Sequence, residues 1–119
     1  MRVSPERFEE LAFEIAGQLL ADLPPDLRAE AETVILEAAD APEDGDRNLL
    51  GLYEGVPLVE RHADGALLQP DRITLFRAAL QSLARTETEL RHHLRVTLIH
   101  ELGHFFGFDE EELEDLGWG

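Results

Sequence analysis

One segment near the carboxyl end constrains the fold of this 119-residue chain more than any other feature. Apolar residues recur at helical spacing over residues 88–106 and cover a broad arc of the helical wheel: Leu90, Leu94, Leu98, Ile99, Leu102, Phe105 and Phe106. His100, Glu101 and His104 occupy the gap in that arc. The pattern predicts a helix that is buried nearly all round, with one polar window formed by these three residues.

The polar window has the spacing of a metal site. Histidines at positions i and i+4 lie one above the other on a helix, so the imidazoles of His100 and His104 can reach one ion. Glu101 lies about 100° around the helix from His100, where its carboxylate can move a proton. A buried imidazole pair without a partner would be costly. We therefore predict a Zn²⁺ site with His100 and His104 as ligands and Glu101 as general base.

The residues that follow extend the motif toward a third ligand. Gly107 can adopt the left-handed conformation that ends a helix and turns the chain back, and Glu110 comes three residues later. A carboxylate oxygen is an acceptable zinc ligand, and Glu110 is the first candidate. Asp109 is the alternative, although Asp109-x-x-Glu112 also has the form of a capping box. Water or a more distant acid such as Glu114 also remains open.

The rest of the chain predicts an α+β fold in which a small mixed sheet packs against an N-terminal helix and the central histidine-bearing helix. Ser4 and Pro5 are typical of a helix start, and Pro24 stops that helix. We predict one domain over residues 1–119 with the following elements: a helix at 4–22, strands at 33–38 and 71–77, one or two short strands within 49–61, loops at 41–48 and 63–65, a short helix at 78–84, and a last helix ending at Leu116.

Composition excludes several classes of function. The 26 acidic residues against 10 basic ones give a net charge of −16, which disfavours nucleic acid and anionic membranes as partners. The chain has no cysteine, so a disulfide framework and a cysteine-type zinc site are both excluded. With no signal peptide or membrane-length apolar run in the sequence, we expect a cytoplasmic protein, and a monomer by default.

Two large clans of zinc peptidases do not fit. A gluzincin takes its third ligand from a second helix well downstream, but only 15 residues follow His104. A metzincin needs a methionine turn after the motif, and Met1 is the only methionine. The site therefore has to be completed within a very short chain.

Several segments resemble a small bacterial family, the minimal single-domain zincin-like metallopeptidases. Residues 96–110, which carry His100-Glu101-x-x-His104-x-x-Gly107-x-x-Glu110, are similar to the core segment of that family, which usually has Asp at the last position. Similarity extends to Leu113, to 116–118 and, upstream, to 52–58 and 71–77. The resemblance implies a compact α+β zincin core with a metalloprotease-like site, in a family whose substrates are not established.

The first functional hypothesis is a zinc-dependent peptidase acting on a peptide or small protein. Zinc would polarise the scissile carbonyl, Glu101 would move the proton of the attacking water, and the strand at 73–77 would pair with substrate as a sheet edge. The second hypothesis is a non-catalytic module, either zinc-stabilised or metal-free, that acts as an adaptor. The third is hydrolysis of another bond, such as deacylation or deamidation, by the same chemistry.

Other candidate residues have ordinary interpretations. His93 faces the same side of the helix as His100 but lies two turns away, so we expect it to be solvent-facing or to support the site indirectly. His62 is expected at the surface, and Asp44-Gly45-Asp46 is expected to form a turn. Tyr53 could polarise a carbonyl oxygen, but packing on the sheet is the favoured interpretation.

Overall fold

The computed structural model describes residues 1–56 and 70–118, which form five helices and a three-stranded sheet. In chain order the elements are α1 (Pro5–Ala21), α2 (Pro25–Ala31), β1 (Ile35–Ala39), β2 (Gly51–Glu54), β3 (Arg72–Phe76), α3 (Arg77–Leu83), α4 (Glu87–Phe106) and α5 (Glu110–Asp115). The predicted α+β class is confirmed. Of the one or two short strands predicted within 49–61, β2 is present; the part of that range after residue 56, the turn at 63–65 and His62 lie outside the described residues.

The N-terminal helix begins where the sequence predicts. The Ser4 side chain accepts a hydrogen bond from the Arg7 backbone N–H at 3.1 Å, and Pro5 occupies the first helical turn. Sequence analysis did not predict α2. Pro24 and Pro25 were interpreted only as the end of the first helix, but proline is also favoured at the first position of a helix, and α2 begins at Pro25.

The sheet has the strand order β1-β3-β2, with β1 parallel and β2 antiparallel to β3. Our prediction that residues 73–77 form a sheet edge for substrate is therefore wrong, because β3 is the central strand and is paired on both sides. Its position follows from its apolar side chains, since Ile73 and Leu75 are almost completely buried. Among the described residues, β2 forms one outer strand of the sheet and β1 the other.

Helices α1 and α4 pack against each other and against one face of the sheet. The core lies between them and contains Phe8, Leu11, Leu19, Ile73, Leu75, Leu80, Leu90, Leu94, Phe105 and Phe106. Burial of these side chains is the main driving force for docking the sheet on the helices. This confirms the predicted packing of a small mixed sheet against an N-terminal helix and a central histidine-bearing helix.

Four charged side chains join the first turns of α4 to α1. Arg7 contacts Glu87, and Arg91 contacts Glu14 at 3.1 Å and Glu87 at 3.5 Å; we call these four residues the charge network. Hydrogen bonding to Arg7 lowers the pKa of Glu87, and hydrogen bonding to Arg91 lowers the pKa of Glu14. All four side chains are at least 30% exposed, so the network lies at the surface and its contribution to stability is small.

Candidate metal centre

The two predicted histidine ligands lie side by side on the last turns of α4. Their Nε2 atoms are 3.1 Å apart, and the rings are perpendicular with centroids 4.7 Å apart. Both side chains are exposed to solvent. Among the described residues, each imidazole has the other as its hydrogen-bonding side chain. The i, i+4 spacing thus brings both imidazoles to one point, as predicted.

The separation of the imidazole nitrogens fits a zinc ion. Two nitrogens held at 2.0–2.1 Å by one tetrahedral zinc lie about 3.3 Å apart, close to the 3.1 Å between the Nε2 atoms. A Glu101 carboxylate oxygen joins this group, and the ligand atoms of His100, Glu101 and His104 all lie within 4.8 Å of one another. Imidazole and carboxylate are ordinary zinc donors, so the residues present suit that metal.

Glu101 faces a different side of α4 from the histidines. It is only 7% exposed and lies against Gly51 of β2, although no hydrogen bond among the described residues engages its carboxylate. The sequence predicted that α4 is buried nearly all round and that the imidazoles are buried with it, and both predictions are wrong. The imidazoles are open to solvent, and Val96, one turn before His100, is 51% exposed. The reason is that α1 and the sheet cover only part of α4.

The end of α4 is built as the sequence predicted. Gly107 has φ 75°, in the left-handed region. The Gly107 N–H donates to the His104 carbonyl at 3.2 Å, and the Phe108 N–H donates to the Gly103 carbonyl at 2.9 Å. These two bonds form a Schellman motif, which satisfies carbonyls that the helix leaves without partners. They fix the backbone next to His104 and direct the chain back toward α5.

Helix α5 packs on the metal-site segment through Gly103. A Cβ atom added at Gly103 would lie 3.4 Å from Leu113, in van der Waals contact with it, so Leu113 of α5 packs directly over this position. The predicted capping box is present, with the Glu112 N–H donating to Asp109 at 2.9 Å and the Asp109 N–H donating to Glu112 at 3.2 Å. Asp109 therefore has the structural role that the sequence suggested.

Neither candidate for the third ligand belongs to the group formed by His100, Glu101 and His104 in the described part of the chain. Glu110 is exposed at the first position of α5 and forms no hydrogen bond or ion pair with any described residue. The Asp109 carboxylate is used in the cap, and Glu114 is exposed on α5. Glu110 remains a prediction as the third ligand.

Tyr53 is held by contacts with Asp71 and Phe105, which do not favour a carbonyl-polarising role. Its hydroxyl donates to Asp71 at 2.7 Å, and its ring meets the edge of Phe105 with centroids 6.2 Å apart. The hydroxyl proton is thus directed to a buried carboxylate. These contacts support the packing interpretation of Tyr53. His92 and His93 contact each other two turns before His100 and do not join the metal group.

Sequence analysis missed Gly51, which contacts both Thr97 and Glu101. A Cβ atom at this position would lie 2.9 Å from Thr97 Cγ2 and 3.4 Å from Glu101 Cγ. No local signal identifies the contact, because Gly51 and Glu101 are far apart in sequence and meet only when β2 docks on α4.

A helix with two exposed histidines and an inward glutamate, packed on a small mixed sheet, defines a zincin-type fold and site. The family model for zincin-like metallopeptidases matches residues 26–118, which is most of the chain. The chain belongs to this family. No curated protein matches it. Among the described residues, no helix has the length and apolar character needed to cross a membrane.

Proposed function

We propose that this protein is a zinc-dependent peptidase, with His100 and His104 as metal ligands and Glu101 as general base. One observation carries the proposal: two exposed imidazoles and one buried carboxylate converge within 4.8 Å at the end of α4. This combination provides metal ligands on the open side and a proton acceptor held by packing on the closed side.

The exposure of the histidines favours catalysis over a purely structural metal site. A structural zinc site is closed by four protein ligands, whereas a catalytic site keeps a coordination position open. Both imidazoles are reached by solvent, so water and substrate can approach the ligand atoms directly. A non-catalytic adaptor would not require the carboxylate of Glu101 to lie beside two metal-binding nitrogens.

The residues divide the chemistry among them. A zinc ion bound here would polarise the scissile carbonyl and lower the pKa of a water molecule. Glu101 accepts the proton of the attacking water and returns it to the leaving amine. Packing against Gly51 and Thr97 limits the directions in which the Glu101 side chain can extend. Glu110, just after the Gly107 turn, is our proposed third ligand, since its carboxylate is exposed and a carboxylate oxygen is an ordinary zinc donor.

We propose a peptide or a small protein as the substrate. In zincins the substrate typically lies along a sheet edge, and the outer strand next to α4 is β2, not β3, among the described residues. The net charge of −16 favours cationic or neutral peptides. The cysteine-free composition supports a reducing compartment such as the cytoplasm as the location of this activity.

The general-base role is tested with Glu101→Gln. Zinc content is measured by mass spectrometry or a colorimetric chelator, and turnover is measured on a library of fluorogenic peptides. We expect zinc to stay bound while turnover falls by about 10²–10⁴-fold. Glu111→Gln, an exposed change of the same chemistry on α5, is the matched control and should retain full turnover. Loss of zinc in Glu101→Gln would make Glu101 a ligand, and unchanged turnover would contradict the mechanism.

The third ligand is tested by comparing Glu110→Gln with Glu111→Gln. The two residues are adjacent and exposed at the start of α5, so their effects on helix stability are similar. If Glu110 binds the ion, zinc affinity falls by more than about tenfold in Glu110→Gln only. Equal affinities in the two variants would exclude Glu110.

A further inference from the structure

Strand β2 lies close to the metal-site helix at Gly51. A Cβ atom built there would lie 2.9 Å from Thr97 Cγ2, 3.3 Å from the Thr74 carbonyl oxygen and 3.4 Å from Glu101 Cγ. The first distance is shorter than packed carbon atoms tolerate, the second is tight, and the third is an ordinary van der Waals contact. Any side chain at this position would have to displace its neighbours on α4.

The requirement for glycine at position 51 comes from space and not from the backbone. Gly51 is not among the glycines with positive φ in the described chain, so an alanine could adopt its backbone conformation. Gly17 of α1 provides a contrast, because a Cβ atom added there would meet nothing within 4 Å. Replacing these two glycines by alanine therefore makes the same chemical change in a crowded and in an open place.

The two α4 residues next to Gly51 are the proposed general base and the residue one helical turn before it. Thr97 and Glu101 are four residues apart and lie on the same face of α4, both less than 10% exposed. The Glu101 stem lies beside Gly51 of β2. A methyl group at position 51 would collide with the Thr97 methyl while touching Glu101 Cγ, so a shift of β2 or α4 that relieves the collision changes the packing around the Glu101 stem.

We propose that Gly51 is a positioning residue that sets the direction of the Glu101 carboxylate by letting β2 approach α4 closely. This inference rests on the proposed role of Glu101 as general base. His100 and His104 face solvent on another side of α4. A change at position 51 therefore acts on the base and leaves the metal-binding imidazoles in place.

The test uses the metal alone and then a small probe. Zinc affinity of the full chain is measured by competition with a chromophoric chelator, and acetohydroxamate affinity is then measured on the zinc-loaded protein. Acetohydroxamic acid, the form added, gives up its N–OH proton to a base beside the metal and binds zinc as acetohydroxamate through two oxygens. Its affinity therefore reports where the Glu101 carboxylate lies.

We expect Gly51→Ala to keep zinc affinity within about threefold and to weaken acetohydroxamate binding about tenfold, because sub-ångström misplacement of a reacting group has effects of this order. Thr97→Ser removes the Cγ2 atom that the new methyl would strike, so the double variant G51A/T97S should regain most of the lost affinity. Gly17→Ala is the matched control and should bind the probe as the unaltered protein does.

A double-mutant cycle with Glu101→Gln separates positioning from general disturbance. If Gly51 acts through Glu101, then Gly51→Ala adds no further loss of probe affinity in the Glu101→Gln background. An additive loss, an unchanged affinity in Gly51→Ala, or no recovery in G51A/T97S would overturn the proposal. If neither Gly51→Ala nor G51A/T97S unfolds cooperatively on heating, Gly51 is needed for the fold itself, and the proposal is also overturned.

The failure of the proposed function gives a different result. If the unaltered protein binds no zinc, or if Glu101→Gln binds acetohydroxamate as well as the unaltered protein, then Glu101 is not the base. Both results are obtained without any change at Gly51, so they test the proposed function separately from the role of Gly51.

Discussion

The two ends of α4 use polar side chains in opposite ways. At the first turns, each acid of the charge network contacts an arginine, and the pKa values of Glu14 and Glu87 are lowered by those contacts. At the last turns, His100 and His104 face each other at 3.1 Å, with no oppositely charged side chain hydrogen-bonded to them among the described residues. The charges of the network are paired without a ligand, whereas the two imidazoles acquire an oppositely charged partner only when they bind a cation.

This difference distinguishes a structural polar cluster from a binding site. Complementary charges at the protein surface satisfy each other and contribute modestly to helix orientation. Two like imidazoles can share one proton at most, and a cation placed between them interacts with both nitrogens. The two ends of the helix should therefore respond differently to metal, to pH and to substitution.

The largest expected effect is the loss of metal binding on removal of one imidazole. His100→Ala should lower zinc affinity by more than about 100-fold, because losing a ligand exceeds the effect of losing a group that only orients one. Chelator competition measures this directly. His92→Ala, which removes an exposed histidine from the same helix, is the control and should leave zinc affinity unchanged. An equal loss in both variants would contradict the assigned site.

A smaller effect is the stabilisation of the folded chain by zinc. At a free zinc concentration 100 times the dissociation constant, the folded state gains about 2.7 kcal/mol. For a chain of this size, that gain raises Tm by roughly 10 °C. Scanning calorimetry with and without zinc measures the shift, which should disappear on adding a chelator. A shift that persists in His100→Ala would place the binding site elsewhere.

The smallest effect belongs to the charge network and depends on pH. Because the pKa of Glu87 is lowered in the folded state from its ordinary value of 4.5, its stabilising contribution is present above that value and is lost as pH falls through the lowered pKa. Glu87→Gln should therefore lower Tm slightly at pH 7, and the difference should vanish in acid.

The same variant also tests whether the ends of α4 are independent. Glu87 and His100 are 13 residues apart, about 20 Å along the helix, so Glu87→Gln should leave zinc affinity unchanged. A change of zinc affinity in Glu87→Gln would show that the charge network controls the orientation of the metal-site end. The two ends of α4 would then not be independent.

Local sequence signals predicted those features whose causes are local. The Ser4 cap, the Gly107 turn and the Asp109–Glu112 capping box each depend on a few neighbouring residues, and all three are present. The convergence of His100 and His104 likewise follows from helical spacing alone.

Two features that depend on contacts between distant segments were not predicted correctly, the position of β3 in the sheet and the exposure of the histidines. The alternating pattern of residues 71–77 indicates a strand, but it contains no information on whether that strand lies at the centre or the edge of the sheet. The sequence pattern places Glu101 and the two histidines on the same polar part of the helix and does not indicate which of them is buried. Only the docking of β2 on α4 makes Glu101 buried and leaves His100 exposed.

The five residues from His100 to His104 face four different parts of the molecule. The two histidines face solvent, Glu101 faces β2, Leu102 lies in the core, and Gly103 lies against Leu113 of α5. In a saturation mutagenesis scan of this segment, large side chains at Gly103 and most changes at the other four positions should be harmful, each for a different reason. Metal loss, loss of turnover, a cavity and displacement of α5 would appear side by side within little more than one helical turn.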